Sequence, residues 1–446
     1  MGMKQLFEVG SDRLGRGPVT FAWSPNGQFI ATASCQLRLL VHDRKGNLHD
    51  EIQIPGKVTQ GQCAAVQLAW DRRSEKLAIL TAGSKPGIGD AVVVYKVRQR
   101  EAMRLENVQM MKEMSHVAWD PQGNVLSVGT AKGNLLLYDS RIGKTMSIMG
   151  KHTKGITCGA WSPDGRLALG GDYRQITVIL GNGDTEFQLA VKDKPKELQF
   201  APEASSGGSL AATKRLNQIS ATLLGGLSSV YLYRLGEFGE DPPEIRNPAE
   251  LKFDPYYGKI KSHHWAGAGY LVVCFDSGQC VLCRMEGGEM ERELCNMQPF
   301  TGAAAMAMKT AFCPDIGRLA VYSGNTVKMI DVSNGDLAEN TGDALEFSVN
   351  CEVTCLGWSM EGQVLTVATG DGELYTFLAS LPNLCRAFGD RCAYLTSLLE
   401  VTVADVSQNK LRAVAIDQEP VFLALGHQHV SAGMNNQAWF YRVGPP

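Results

Sequence analysis

No charge of one sign dominates this sequence: 43 lysines and arginines stand against 46 aspartates and glutamates, for a formal net charge of −3. Without a basic surplus there is no field to gather a polyanion, and the composition speaks against general nucleic-acid binding. Long apolar runs are also missing; none approaches the ~20 residues that span a bilayer. No charged-then-apolar leader opens the chain, and Met1-Gly2-Met3-Lys4-Gln5-Leu6 lacks the Ser or Thr of a myristoylation signal. The twelve cysteines follow no framework spacing, which fits buried reduced thiols better than disulfides. The expectation is a soluble, cytoplasmic protein without a transmembrane segment. Catalytic signatures are absent too: there is no Gly-x-Ser-x-Gly elbow, P-loop or His-Glu-x-x-His. The glycine-rich spots at Gly83–Gly89 and Gly225-Gly226 read as turns, since neither leads a strand into a helix.

What the sequence has is a repeat. Trp23-Ser24-Pro25-Asn26-Gly27 returns as Trp119-Asp120-Pro121-Gln122-Gly123 and as Trp161-Ser162-Pro163-Asp164-Gly165. Worn copies stand at Trp70-Asp71, Phe200-Ala201-Pro202, Phe312-Cys313-Pro314 and Trp358-Ser359-Met360-Glu361-Gly362. Self-similarity at roughly 40–50 residues is the mark of propeller blades. Each unit has one grammar: an alternating run into the aromatic residue, a turn, a small-and-aliphatic run, a tight polar turn, another alternating run. Alternation marks strands, and the Pro/Asp/Gly clusters fix turns because proline presets φ and glycine permits positive φ. With 44% apolar and 20% charged residues the chain is globular, and the repeat overrides the three-domain guess that 446 residues would suggest.

Eight units can be traced, and a ninth, weaker one after them. The clearest are unit three, from Ser115 to Asp139, and unit four, from Ile156 to Leu180. Unit five is eroded, with a swollen turn at Ala204–Ser209, and Gly236–Pro255 reads as an exposed excursion. Beyond Leu381-Pro382-Asn383, the run Tyr394–Val403 alternates like an outer strand, while Leu411–Ile416, Val421–Leu425 and Ala438–Tyr441 supply strands for the ninth unit. Gln5–Val9 is an orphan strand that could close a ring from the other chain end. The expected fold is an all-β, WD40-type β-propeller, with residues 1–446 forming nine blades in one closed ring. The alternative is a ring of seven or eight blades over residues 1–385, with residues 386–446 starting a second propeller.

Candidate chemistry is sparse. The six repeat tryptophans fit the wedges between blades; an aromatic cage would need them to converge on one exposed spot, and repetition spreads them around the ring. Cys280-Val281-Leu282-Cys283, with Cys274 near it, resembles a metal knuckle, but no second knuckle exists and residues three apart on a strand face opposite ways. His263-His264 and His427-Gln428-His429 are the close histidine groups, and His427 and His429 would share a face if both lay on a strand. His152 is placed to join a hydrogen-bond network that staples a blade. The basic stretch from Lys96 through Lys112 could face a protein or a lipid surface, or be a solvated rim. No catalytic, cofactor-binding or metal-binding residue is assigned, and no cofactor is implied.

Four segments carry a more specific likeness: Gly129-Thr130-Ala131-Lys132-Gly133-Asn134-Leu135-Leu136-Leu137-Tyr138, the run from Gly150 to Trp161, the run from Ala393 to Ala404, and the run from Ala432 to Tyr441. They resemble the N-terminal WD-repeat region of the intraflagellar transport protein 144 family, also called the WD repeat-containing protein 19 family. That resemblance spans almost the whole chain. It implies a non-enzymatic scaffold of intraflagellar transport complex A, serving retrograde ciliary transport, cargo import and cilium assembly. It further implies other complex A subunits and ciliary membrane-protein cargo or adaptors as partners, no nucleic acid, room for peripheral membrane contact, and a place at the cilium and basal body. The helical-repeat region that follows the propellers in that family has no counterpart in these residues. Against the scaffold stand two other readings, an enzyme with a site in the central channel and a reader of peptides or lipid head groups.

Overall fold

The computed structural model describes residues 3–55, 63–83, 90–105, 113–202, 218–224, 228–235, 249–267, 269–286, 289–333, 335–347, 352–434 and 437–443. The chain divides into two compact units, Met1–Phe377 and Leu378–Pro446. The first holds eight four-stranded antiparallel sheets in chain order. Their first strands are Val19–Trp23, Cys63–Trp70, Met114–Trp119, Ile156–Trp161, Pro195–Phe200, Ile260–Trp265, Lys309–Cys313 and Val353–Trp358. Sheets one to seven take all four strands from consecutive sequence. Sheet eight has only three of its own, and its fourth, outer strand is the N-terminal Lys4–Val9, paired beside Leu374–Leu378. Thr376 Oγ1 donates to the Phe7 carbonyl at 2.9 Å, and the Phe7 amide donates back to that hydroxyl at 3.2 Å.

The repeat motif explains each sheet's first hairpin. After the tryptophan comes a short side chain with an acceptor oxygen. Ser24 Oγ accepts from the Phe29 amide at 2.9 Å, Asp120 Oδ1 from Val125 at 2.9 Å, Ser162 Oγ from Arg166 at 2.8 Å and Ser359 Oγ from Val364 at 3.0 Å. Serine and aspartate interchange there because either oxygen satisfies the turn. The glycine that follows sits at positive φ, 65° at Gly27 and 90° at Gly165. Sheet two breaks this rule, with Ser74 at φ 58°. Its hydroxyl accepts from the Asn26 amide at 3.0 Å, a bond to sheet one that glycine could not make.

Packing departs from simple alternation. The second strands Phe29–Ser34 and Val364–Thr369 are buried almost throughout. A sheet covered on both faces needs apolar or small residues on both, so its middle strands read as continuous runs. The cores lie between consecutive sheets. One cluster joins sheets one and two through Val41, Trp70, Ile79 and Val93; another joins five and six through Leu232, Phe253, Val273 and Phe275. A further cluster joins sheet eight to sheet one, with Val364 and Leu374 against Trp23, Ile30 and Leu40.

The second unit holds a four-stranded sheet, Cys385–Phe388, Arg391–Ser397, Glu400–Asp405 and Lys410–Ala415. A three-stranded sheet follows, Phe422–Leu425, His429–Met434 and Gln437–Arg442. Its own core gathers Ala393, Val401, Val403, Leu423, Val430 and Ala432. The sheets observed differ from the expected single nine-unit ring: eight lie in the first unit and two in the second. The orphan N-terminal strand completes sheet eight and not a ninth, and seven strands follow it where one blade would need four. Tyr394–Val403 is a hairpin broken at Leu398-Leu399, because a turn interrupts what reads as one alternating run. Of the expected excursion at 236–255, residues 236–248 lie outside the described residues, while Ala249–Lys252 is the outer strand of sheet five.

Candidate protein-interaction site

Consecutive sheets meet through their first strands, which therefore line the centre of the first unit. Every indole on these strands reaches back to the preceding sheet. Trp70 Nε1 donates to the Ala22 carbonyl at 2.9 Å, Trp119 to Ala69 at 3.0 Å, Trp161 to Ala118 at 3.2 Å and Trp358 to Ala311 at 3.1 Å. Trp265 donates to Ser220 Oγ at 3.0 Å, and Trp23 to Thr366 Oγ1 of sheet eight at 2.8 Å. The six tryptophans stand on six of the eight sheets, one on each, and do not converge on a cage.

Reaching the other way, polar side chains cap the backbone of the next first strand. The Gln67 amide makes a reciprocal pair with the Val117 peptide, both bonds at 3.0 Å. Gln199 Nε2 donates to the His263 carbonyl at 2.7 Å, and Ser115 Oγ donates to the Ile156 carbonyl. Six of the eight first strands skip register at one residue, four before the repeat aromatic. The skipped residues are Val66, Ser115, Thr157, Lys196, Lys261 and Thr354. A bulge of this kind re-aims the side chain it frees. Sheet seven has no skip, but its first strand begins with an exposed lysine, Lys309.

One constellation resembles a hydrolase triad. His263 Nε2 lies 2.8 Å from Ser220 Oγ, and His263 Nδ1 lies 3.4 Å from Glu197 Oε2. Its surroundings make it structural. Ser220 and His263 are both 0% exposed, and the hydroxyl already receives the Trp265 indole and lies 3.2 Å from the Gln199 carbonyl. No substrate carbonyl could reach that oxygen, which a nucleophile requires. Burial pushes the Glu197 carboxyl up, but the hydrogen bond and charge of His263 outweigh it and hold it below its usual range. The trio ties sheet five to sheet six.

The other sequence candidates are placed as follows. His263 and His264 face opposite ways: His264 Nε2 lies 2.9 Å from Thr310 Oγ1 of sheet seven and its ring stacks on Phe312. Cys280 packs between sheets six and seven, while Cys283 packs between five and six. Burial pushes the Cys283 thiol up to about 12. Cys274 sits directly across from Cys280 in the hairpin register. His427 falls in the turn before His429–Met434, so the two histidines do not share a strand face. Among the described residues no group of three or more His, Cys, Asp or Glu is placed to hold a metal. The His152 ring makes no hydrogen bond among the described residues, contrary to the expected role; its backbone amide does the stapling, donating to the Gly133 carbonyl at 2.9 Å. A ring that close to a packed loop is buried, and burial sets its chemistry instead. In the basic stretch, residues 106–112 lie outside the described residues. Of the rest, Lys96 pairs with Glu101 at 3.4 Å and Arg98 with Glu75 at 3.6 Å, so part of the positive charge is already answered.

Buried neutral histidines make acid sensitivity an expected property. Burial lowers His116, His152 and His264 to about 4 and lowers His42 as well. Unfolded histidines take a proton near 6.5, so below that the unfolded state binds more protons and stability falls as pH drops toward the folded value. Each such histidine costs about 1.4 kcal/mol per pH unit in that window. The melting temperature should therefore fall between pH 6.5 and pH 5, above the usual carboxylate range, and His116→Gln should flatten the slope. A flat profile across that window would show that these rings are not held neutral.

Consecutive four-stranded sheets stitched by first-strand tryptophans define the class: this is a WD40-type β-propeller protein. The family described as WDR19 first beta-propeller matches residues 19–372, and that described as WDR19 second beta-propeller matches residues 392–446. The chain belongs to the WD repeat-containing protein 19 family. It is 32% identical to WD repeat-containing protein 19 of Mus musculus over 444 residues and 32% identical to that of Homo sapiens over 447. It is 24% identical to WD repeat-containing protein dyf-2 of Caenorhabditis elegans over 444 residues. Each match covers 99% of this chain but only 30–31% of the relative, so the chain spans less than a third of their length. Among solved structures it is similar in fold to the C-terminal WD40 domain of Sif2, with a TM-score of 0.63 at 13% identity, covering 85% of this chain and 99% of that one. No helix among the described residues is long and apolar enough to cross a membrane.

Proposed function

We propose that this chain is a non-enzymatic interaction scaffold of intraflagellar transport complex A, acting in retrograde ciliary transport, cargo import and cilium assembly. The observation that carries the reading is the match to WD repeat-containing protein 19 along 99% of the chain. Its partners on this reading are other complex A subunits and ciliary membrane-protein cargo or its adaptors, with no nucleic acid and no more than peripheral membrane contact. It works at the cilium and basal body and in the cytoplasm. Architecture supports the same role: the first unit is read as an eight-bladed ring joined through Trp23 and Lys4–Val9, and residues 378–446 as the beginning of a second propeller. An enzyme is disfavoured because the triad-like cluster found among the described residues is closed to substrate. The test is affinity purification of the tagged chain from ciliated cells. Recovery of complex A subunits and signal in cilia are expected; a folded chain that does neither would sink the proposal.

A further inference from the structure

We propose that the channel edge on sheets five to seven of the first unit binds an acidic peptide segment of a partner protein, through Lys196, Lys261 and Lys309. These lysines stand at or next to the start of the first strands of three consecutive sheets, and all three are exposed. Lys196 and Lys261 occupy the skipped register position, where a bulge re-aims the side chain, and Lys196 Nζ reaches the next first strand. The same position carries serine or threonine in sheets three, four and eight, so the cationic run is confined to one arc of the channel.

Their charge is not cancelled locally. Lys196 Nζ donates to the Lys261 carbonyl at 2.7 Å, and Lys309 Nζ lies 3.5 Å from the Thr354 carbonyl and 5.9 Å from the Tyr322 ring. Carbonyls and a ring face orient an ammonium without neutralising it. Among the described residues nothing bonds to the Lys261 ammonium. Glu197, the acid next in the chain, is turned into the sheet interface, where Gln199 Nε2 lies 2.7 Å from its carboxylate and His263 lies 3.4 Å away. Burial, and then the neighbouring Lys261 charge, push the Lys196 ammonium down against the pull of Glu197, as expected of cations that share one space.

The chemistry favours a carboxylate-bearing peptide. None of the three is an arginine, so the planar fork that grips phosphate in a bidentate way is absent, and each lysine acts as a point charge. The lysines lie at the starts of first strands on three consecutive sheets, a row that an extended chain can follow from one sheet to the next. An extended chain repeats its side chains on one face about every 7 Å, so an acidic segment can turn several carboxylates to one side.

The proposal deepens the scaffold reading by naming a partner's chemistry, but its test uses the chain alone and stands apart from recovery of complex A. Fluorescein-labelled hexaglutamate is titrated with the chain by anisotropy at 50 and 200 mM salt. Salt-sensitive binding is expected, weakened tenfold or more by Lys261→Glu and by the triple variant K196Q/K261Q/K309Q. Lys261→Glu should leave the melting temperature unchanged, which separates lost binding from lost folding; Lys261→Gln is the milder substitute. The matched variant K4Q/K45Q/K144Q, with three exposed lysines elsewhere in the first unit, should bind as the parent does. Absence of hexaglutamate binding, or an equal loss in the matched variant, would overturn the site. Inorganic phosphate or phosphatidylserine vesicles binding as tightly, with the same dependence on Lys261, would overturn its assignment to a peptide.

Discussion

Trp23→Ala is expected to destabilise the first unit by about 3–5 kcal/mol, the usual cost of truncating a buried large aromatic. Every other inner tryptophan ties a sheet to the one before it in sequence. Trp23 ties sheet one to sheet eight, 343 positions away, through Thr366 Oγ1 at 2.8 Å. Its ring also fills the core shared by Val364, Leu374 and Ile30. Arg44, 7% exposed, pairs with Glu361 at 2.5 Å and donates to Gln363 across the same junction. Loss of the ring removes apolar packing at the same junction of sheets one and eight. Trp23→Phe keeps most of the packing and loses the indole donor, so it should cost about 1 kcal/mol. Denaturant midpoints for the two variants, with proteolysis after the N-terminal strand as a second readout, test this. If Trp23→Ala cost no more than Trp23→Phe, the junction would not be held by burial.

Arg166→Ala should be comparably damaging, and its damage should depend on pH. Arg166 is 1% exposed on its side chain, with Asp164 at 2.5 Å and Glu186 at 3.6 Å. Removing the buried guanidinium takes away a packed side chain and leaves two part-exposed carboxylates unpaired, at up to about 3 kcal/mol. Burial pushes the Asp164 carboxyl up, but Arg166 and Ser162 outweigh it and hold it below its usual value. That contribution is present above the unfolded carboxylate range and is lost as pH falls through the folded value. Glu186 is shifted the other way: burial raises it, and Arg166 only partly offsets the rise. Without the guanidinium both carboxyls should titrate high. The deficit of Arg166→Ala should be greatest near neutral pH and shrink as acidification protonates the variant's two carboxyls, which titrate higher than the parent's. Urea midpoints for parent and variant at pH 7 and pH 4 give the comparison; an equal deficit at both would mean the side chain acts by volume alone.

The hairpins were open to reading because their causes are local. Trp-Ser/Asp-Pro-x-Gly places an acceptor oxygen, a preset φ and a positive-φ residue within five positions, and the resulting turn needs no distant partner. The inter-blade role of the tryptophans follows from their recurrence. The channel lysines were missed, although aligning the units on their aromatic residue places Lys196 and Lys261 at the same offset. The bulge that aims them is a register effect between strands and has no composition of its own. The Ser220, His263 and Glu197 cluster was equally hidden, since its members come from three strands of two sheets.

Sequence by itself determined the repeat, the strand-and-turn grammar and the family, because each rests on neighbours within one unit or on identity spread along the chain. Tertiary structure alone decided where the first unit ends. Lys4–Val9 pairs with Leu374–Leu378, so sheet eight is completed from the opposite end of the unit and the strands after Leu378 enter a second one. The two hydrogen bonds between Phe7 and Thr376 join residues 369 positions apart. An edge strand alternates in the same way whichever sheet it joins, and only the geometry of the assembled sheets selects its partner.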